Sequence, residues 1–169
     1  MLTQERLKER LHYDPDTGIF TWRVTLNNAV KKGFVAGYKR TSGYRSIVVD
    51  GKKYFSHRLA WLYIRGTWPA HQIDHINNVK DDNRICNLRE STHGQNQHNV
   101  GKRTDNTSGY KGVTFCRALK KYKAQIQINR KNTHLGYFVC PKEAHAAYCA
   151  AAEEHHGEFA NDGTGDNNE

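Results

Sequence analysis

The chain has 169 residues, enough for one medium domain or two small ones. A hydrophobic content of 37% and a mean hydropathy of −0.87 allow only thin cores. No apolar run approaches the about 20 residues that cross a bilayer, so a membrane protein is set aside. A formal net charge of +9 and a pI near 9.4 favour a polyanionic partner, nucleic acid first, with plain solubility as the alternative.

From the N-terminus, Leu2, Leu7 and Leu11 mark a short amphipathic helix over 2–11. This segment is charged rather than apolar, so a soluble, unexported chain is expected. Residues 13–18 read as a turn and 19–23 as a strand. Residues 44–49 and 53–55 alternate around Asp50-Gly51, a strong hairpin signal. A short helix over 57–64 follows, ended by Gly66 and Pro69. Two strand-like pieces within 73–89 flank a polar loop over 77–83, and a helix over 92–100 is capped by Ser91 or Thr92. A linker rich in Gly, Lys, Arg, Asn and Ser spans 101–109. Beyond it, 112–115, 122–129 and 133–138 read as three strands. Ala124, Ile126 and Ile128 alternate with Lys123, Gln125 and Gln127, giving one apolar and one polar face. Residues 141–156 form an Ala-rich helix opened by Pro141 and closed by Gly157. The Gly-, Asn- and acid-rich stretch 161–169 is expected to be disordered.

Cys86, Cys116, Cys140 and Cys149 are scattered, with no Cys-x-x-Cys pair, which argues against a structural zinc site. Without an export signal they are expected reduced and mostly buried. Between Lys102 and Lys131 the only acid is Asp105, and Tyr110, Phe115 and Tyr122 lie among the basic residues.

The chemically informative cluster is Asp74-His75, Asn87 and Asn96. Phosphodiester hydrolysis needs an activated water, a cation on the phosphate oxygens and help for the leaving oxygen. An Asp carboxylate and an Asn carbonyl are hard oxygen ligands, suited to Mg²⁺ or Mn²⁺ held partly by substrate phosphate. A neutral imidazole beside them can take the proton of the attacking water. Adjacent strand residues point to opposite faces, so Asp74 and His75 share a site only where the strand ends or twists. Taken singly, Asn-rich loops are more often turns capped by their own side chains.

Together, the runs His57-Arg58-Leu59-Ala60-Trp61, Ile73-Asp74-His75-Ile76-Asn77, Asn83-Arg84-Ile85-Cys86-Asn87-Leu88-Arg89 and Gln95-Asn96-Gln97-His98-Asn99 resemble the HNH endonucleases of phage introns and intergenic regions. The resemblance implies a ββα-metal fold with one catalytic divalent cation. His75 then matches the general base, Asp74 a metal ligand and Asn87 the middle Asn that braces the loop. Asn96 stands where many members have a final His, as in the subgroup called HNN, and matches the second metal ligand. That departure favours Mg²⁺ or Mn²⁺ over softer ions. His57 either contacts the site or DNA, or is a packed residue anchoring its helix. His98 and Asn99 assist the metal or phosphate, or form a solvated helix end. Arg84 and Arg89 hold phosphates or face solvent.

The runs 108–113, 122–126, 134–138 and 143–148 are similar to the Apetala-two domain, with Tyr122 where the plant family usually has Trp and Cys140 in place of Thr. That resemblance implies three antiparallel strands packed on one helix, with the sheet in the DNA major groove. Its polar-face candidates are Lys111, Arg117, Lys121, Lys123, Gln125 and Gln127, with Lys102 and Arg103 in the basic linker.

The sequence thus predicts an α+β chain. An HNH nuclease domain over 1–100 combines a small N-terminal β-sheet with a ββα-metal core at about 70–100. The linker 101–109, an Apetala-two type domain over 110–160 and the tail follow. The expected activity is a metal-dependent, site-specific DNA endonuclease of the homing type, nicking one strand of double-stranded DNA per active site. Monomer or dimer is left open, and the resemblance implies the cytoplasm of an infected bacterial host. The alternatives are a non-catalytic double-stranded DNA-binding regulator on an HNH scaffold, and a structured-RNA binder.

Overall fold

At the N-terminus, Thr3 stands outside the first helix, and its Oγ1 accepts from the Arg6 N–H at 3.2 Å. The cap starts α1 (Gln4–Arg10), which ends where Leu11 turns extended. In the computed structural model, which describes residues 1–164, the chain divides into two compact units, Met1–Thr92 and the remainder from His93. Among the described residues it is a mixed helix and sheet protein with four α-helices and small antiparallel sheets. None of these helices is long and apolar enough to cross a membrane.

In the first unit, β1 (Leu11–Tyr13) pairs with β2 (Phe20–Trp22) around the expected turn, where Gly18 takes φ +72°. The helix expected over 2–11 is thus shorter, because Leu11 and Tyr13 bury their side chains from a strand. A second sheet runs β3 (Tyr38–Lys39), β4 (Arg45–Val49), β5 (Lys52–Phe55), with Asp50 and Gly51 at positive φ in the tight turn. Helix α2 (Ser56–Arg65) follows directly and stops at Gly66 in the left-handed conformation. Strand β6 (Gln72–His75) pairs antiparallel with β7 (Leu88–Ser91), and Asp74 lies opposite Arg89. A 3-10 turn, Ile85–Asn87, leads into β7. Leu7, Leu11, Phe20, Ile47, Leu59, Leu62 and Leu88 belong to one core, which Ile73 of β6 also joins.

The second unit opens with α3 (His93–Asn99). A sheet ordered β10 (Lys131–Phe138), β9 (Lys121–Ile128), β8 (Val113–Cys116) packs against α4 (Pro141–His156). Val113, Ala124 and Ile126 meet Ala144, Tyr148 and Ala151 with little bulk between them. Gly112 (φ +74°) has no room for a side chain, since a Cβ would fall inside the Tyr148 ring. The contact boundary lies ahead of the expected linker because α3 is held by residues of the C-terminal unit. Of the tail expected to be disordered, 165–169 lie outside the described residues. Asn161 is engaged, accepting from the Tyr148 hydroxyl at 3.4 Å.

Candidate active site and nucleic-acid face

Asp74 and His75 close β6 and are buried, at 4% and 5% exposure. Asp74 faces Arg89 across the ladder, and the His75 ring meets the Tyr44 and His57 rings at the strand's end, with the Asp74 charge near enough to act on His75 and Tyr44. Arg89 Nε and Nη2 each donate to Asp74 Oδ2 at 2.9 Å, offsetting the cost of a buried carboxylate.

The His75 ring sits edge-on to His57, with centroids 5.1 Å apart and planes at 88°, and lies 5.9 Å from the Tyr44 ring. Its Nε2 lies 3.5 Å from the buried Asn83 Oδ1, which can accept from the Nε2–H tautomer. Burial pushes the His75 pKa below the usual histidine value, against the opposing pull of Asn83 and Asp74. His57 is pushed down to about 3, by burial first and by His75 second.

Asn87 spans the loop between the strands. Its Nδ2 donates to Asn77 Oδ1 and to the Asp82 carbonyl, both at 2.9 Å, and its Oδ1 accepts from the Asn77 N–H at 3.0 Å. Asn77 also donates to Asp82 Oδ2 at 2.7 Å, and Arg84 grips the same carboxylate. Arg84 first, then Asn77, hold Asp82 at about 2. The loop rests on the β1–β2 hairpin: the Tyr13 hydroxyl donates to the Asn83 carbonyl at 2.7 Å. A Cβ at Gly18 would lie 2.5 Å from the Arg84 nitrogen.

Of the other sequence candidates, Asn96 lies on α3 in the second unit, half-buried. Among the described residues no three His, Cys, Asp or Glu side chains gather to form a closed metal cage. In the first unit the donor at hand is the Asp74 carboxylate, a hard oxygen that suits an oxygen-seeking divalent ion completed by a ligand's own oxygens.

Pairing in the C-terminal sheet sets Thr114 opposite Lys123, Cys116 opposite Lys121, His134 opposite Gln125 and Asn132 opposite Gln127. A bulge between His134 and Gly136 brings Tyr137 opposite Lys123, with the His134 and Tyr137 rings 4.7 Å apart. Lys121, Lys123, Gln125 and Gln127 therefore share one face with Thr114, Asn132, His134 and Tyr137. The last four are absent from the sequence candidates, and for Tyr137 the reason is the bulge, which shifts the period of β10. Arg117 is exposed at the β8–β9 turn. Arg103 is exposed and pairs with Asp105 at 2.9 Å, and Lys102 donates to the Gly109 carbonyl. Lys111 donates from Nζ to the carbonyls of His98 and Val100.

Of the residues around His75, the sequence offers His57 as a site contact, whereas Asn83 and Tyr44 carry no signal of that role. Asn83 reads as one more loop Asn, and Tyr44 as a strand aromatic.

No curated protein sequence matches the chain. A solved structure described as DNA binding and cleavage by the HNH homing endonuclease I-HmuI is similar at 24% identity and a TM-score of 0.41. The match covers 53% of this chain and 51% of that one, about half its length. Residues 54–98, the stretch that contains Asp74, His75, Asn87 and Asn96, match the sequence model of the HNH endonuclease family.

Proposed function

We propose that the chain is a metal-dependent, site-specific DNA endonuclease that hydrolyses one phosphodiester bond, nicking a strand per active site. The observation that carries this reading is a buried carboxylate, Asp74, next to a buried imidazole, His75, in a loop braced by Asn87, within the HNH-matching stretch. Asp74 and Asn96 are assigned as the ligands of one Mg²⁺ or Mn²⁺. When bound, such a cation supplies positive charge at the phosphate and at the leaving oxygen.

The chain's own residues do the rest. Burial keeps the His75 ring neutral near neutral pH, so it is ready to accept the proton of the attacking water. Asn87 keeps the loop in one shape, which saves reorganisation when substrate arrives. Arg89 balances Asp74 before a cation does, and Arg84 stands beside the loop to meet phosphate. Residues 110–160 act as an Apetala-two type reader of double-stranded DNA. There Lys102, Arg103, Lys111, Arg117, Lys121 and Lys123 hold the backbone, and Gln125 and Gln127 reach base edges. One site per chain implies that a double-strand break takes a dimer or a second visit. A phage origin and action in the host cytoplasm belong to the same reading.

The test incubates purified protein with supercoiled and linear DNA in Mg²⁺, Mn²⁺ or EDTA. Discrete nicks lost with EDTA are expected. His75→Ala should lower the single-turnover rate by ~10²–10⁴-fold while leaving DNA affinity intact. Retarded DNA without product under either metal would sink the reading and leave a binding-only regulator. Preferential binding of duplex RNA would point to the RNA alternative, since a sheet does not enter its narrow major groove.

A further inference from the structure

The helix that carries Asn96 belongs to the C-terminal unit, and contacts from Lys111, Asn161 and His156 help to hold it there. Lys111 Nζ donates to the carbonyls of His98 and Val100, which lie at the helix's C-terminal end, where a cation is favoured. Asn161 Nδ2 donates to Asn99 Oδ1 at 3.4 Å. The His98 ring lies flat on the His156 ring, with centroids 3.7 Å apart and planes within 10°. His156, the last residue of α4, is itself pinned, because its Nε2–H donates to the Gln127 carbonyl on β9 at 3.0 Å. Its other ring nitrogen, Nδ1, is buried with no hydrogen-bond partner where the ring lies on His98. An open groove of about 450 Å³ has His98, His156, Lys111, Arg103, Gln125 and Gln127 in its lining, so this connection borders the sheet's amide-bearing face.

We infer that His156 is a positioning residue that ties the DNA-reading strand β9 to the helix presenting Asn96. This inference rests on the proposed nuclease reading. A seven-residue helix is marginal alone, so its order comes from such tertiary contacts. Engagement of Gln125 and Gln127 by DNA steadies the Gln127 carbonyl, the His156–His98 stack and the helix together.

The experiment compares full-length wild type, His156→Ala and His156→Phe, where Phe keeps a ring on His98. Hydrogen exchange of the 93–99 segment is measured alongside the Mn²⁺ dependence of single-turnover cleavage. His156→Ala should speed exchange there by about tenfold, with β9 and β10 protected as in wild type. It should raise the Mn²⁺ midpoint by about tenfold, with DNA affinity in EDTA unchanged. His156→Phe should restore most of both. Wild-type exchange over 93–99 in His156→Ala, or equal loosening of β9 and β10, would overturn the inference. If wild-type protein cuts no DNA, the nuclease reading fails separately, and the exchange result still decides whether His156 holds this helix.

Discussion

His57 is enclosed by Phe55 stacked at 5.4 Å, Tyr44 and His75, and its Nδ1 is buried without a hydrogen-bond partner. Burial first, then the neighbouring His75, lowers its pKa from 6.5 to about 3. The folded value lies below the unfolded one, so between these pH values the unfolded chain binds more protons. The stability tied to a neutral His57 is therefore complete above about pH 6.5 and is lost as pH falls toward 3. At roughly 1.4 kcal/mol per unit, the loss by about pH 5 is on the order of 2 kcal/mol. Urea midpoints at about pH 7.5 and 5 should show it, and His57→Phe should flatten the difference while keeping the stack. An equal fall in both proteins would assign the effect to other groups. The sequence left His57 between an anchor and a site contact; in the structure it is buried on α2 with its ring against His75. Its polar atom without a partner has no signature in a sequence.

Among the elements, those with a strong local cause were legible. The Asp50-Gly51 turn sets the β4–β5 hairpin, and Pro141 and Gly157 bracket α4. The strand β1 was hidden, since Leu11 continues the leucine spacing of α1 and only pairing with Trp22 draws it into a sheet. The two-residue β3 was hidden too, being too short for alternation to register. Within the candidate site, the sequence marked the residue types but not their supports: the hairpin under the loop is a long-range contact. The close packing of β8 against α4 gives an element-level prediction. Gly112→Ala places a methyl in the Tyr148 ring at φ +74°, combining left-handed strain with overpacking. The C-terminal unit should lose about 2–5 kcal/mol. Hydrogen exchange should then rise across β8–β10 while β4 and β5 stay protected. Unchanged protection of β8–β10 would show that α4 can yield there at little cost.

At the scale of the whole molecule, charge is the quantity that no single contact explains. A net +9 is carried by a chain whose stretch 102–131 holds one acid, and pairing places Lys121 and Lys123 on one face of the sheet. In the proposed reading that face meets DNA phosphates, so each contact releases counterions, and log K falls with log salt by about 0.9 per phosphate neutralised. Replacing Lys121 and Lys123 together by Ala should flatten that slope by about 2. The loss of affinity should be similar across DNA sequences, because phosphate contacts carry no sequence information. Gln125→Ala should do the reverse, leaving the slope intact and relaxing preference at one position, since a neutral amide neutralises no phosphate. Fluorescence anisotropy over a salt series, on a cut-site duplex and an unrelated one, separates the two. If neither lysine changes the slope, the sheet's polar face is not where the duplex lies. The excess charge would then have to act from elsewhere, with the Arg103 loop and the exposed Arg117 turn the next surfaces to neutralise.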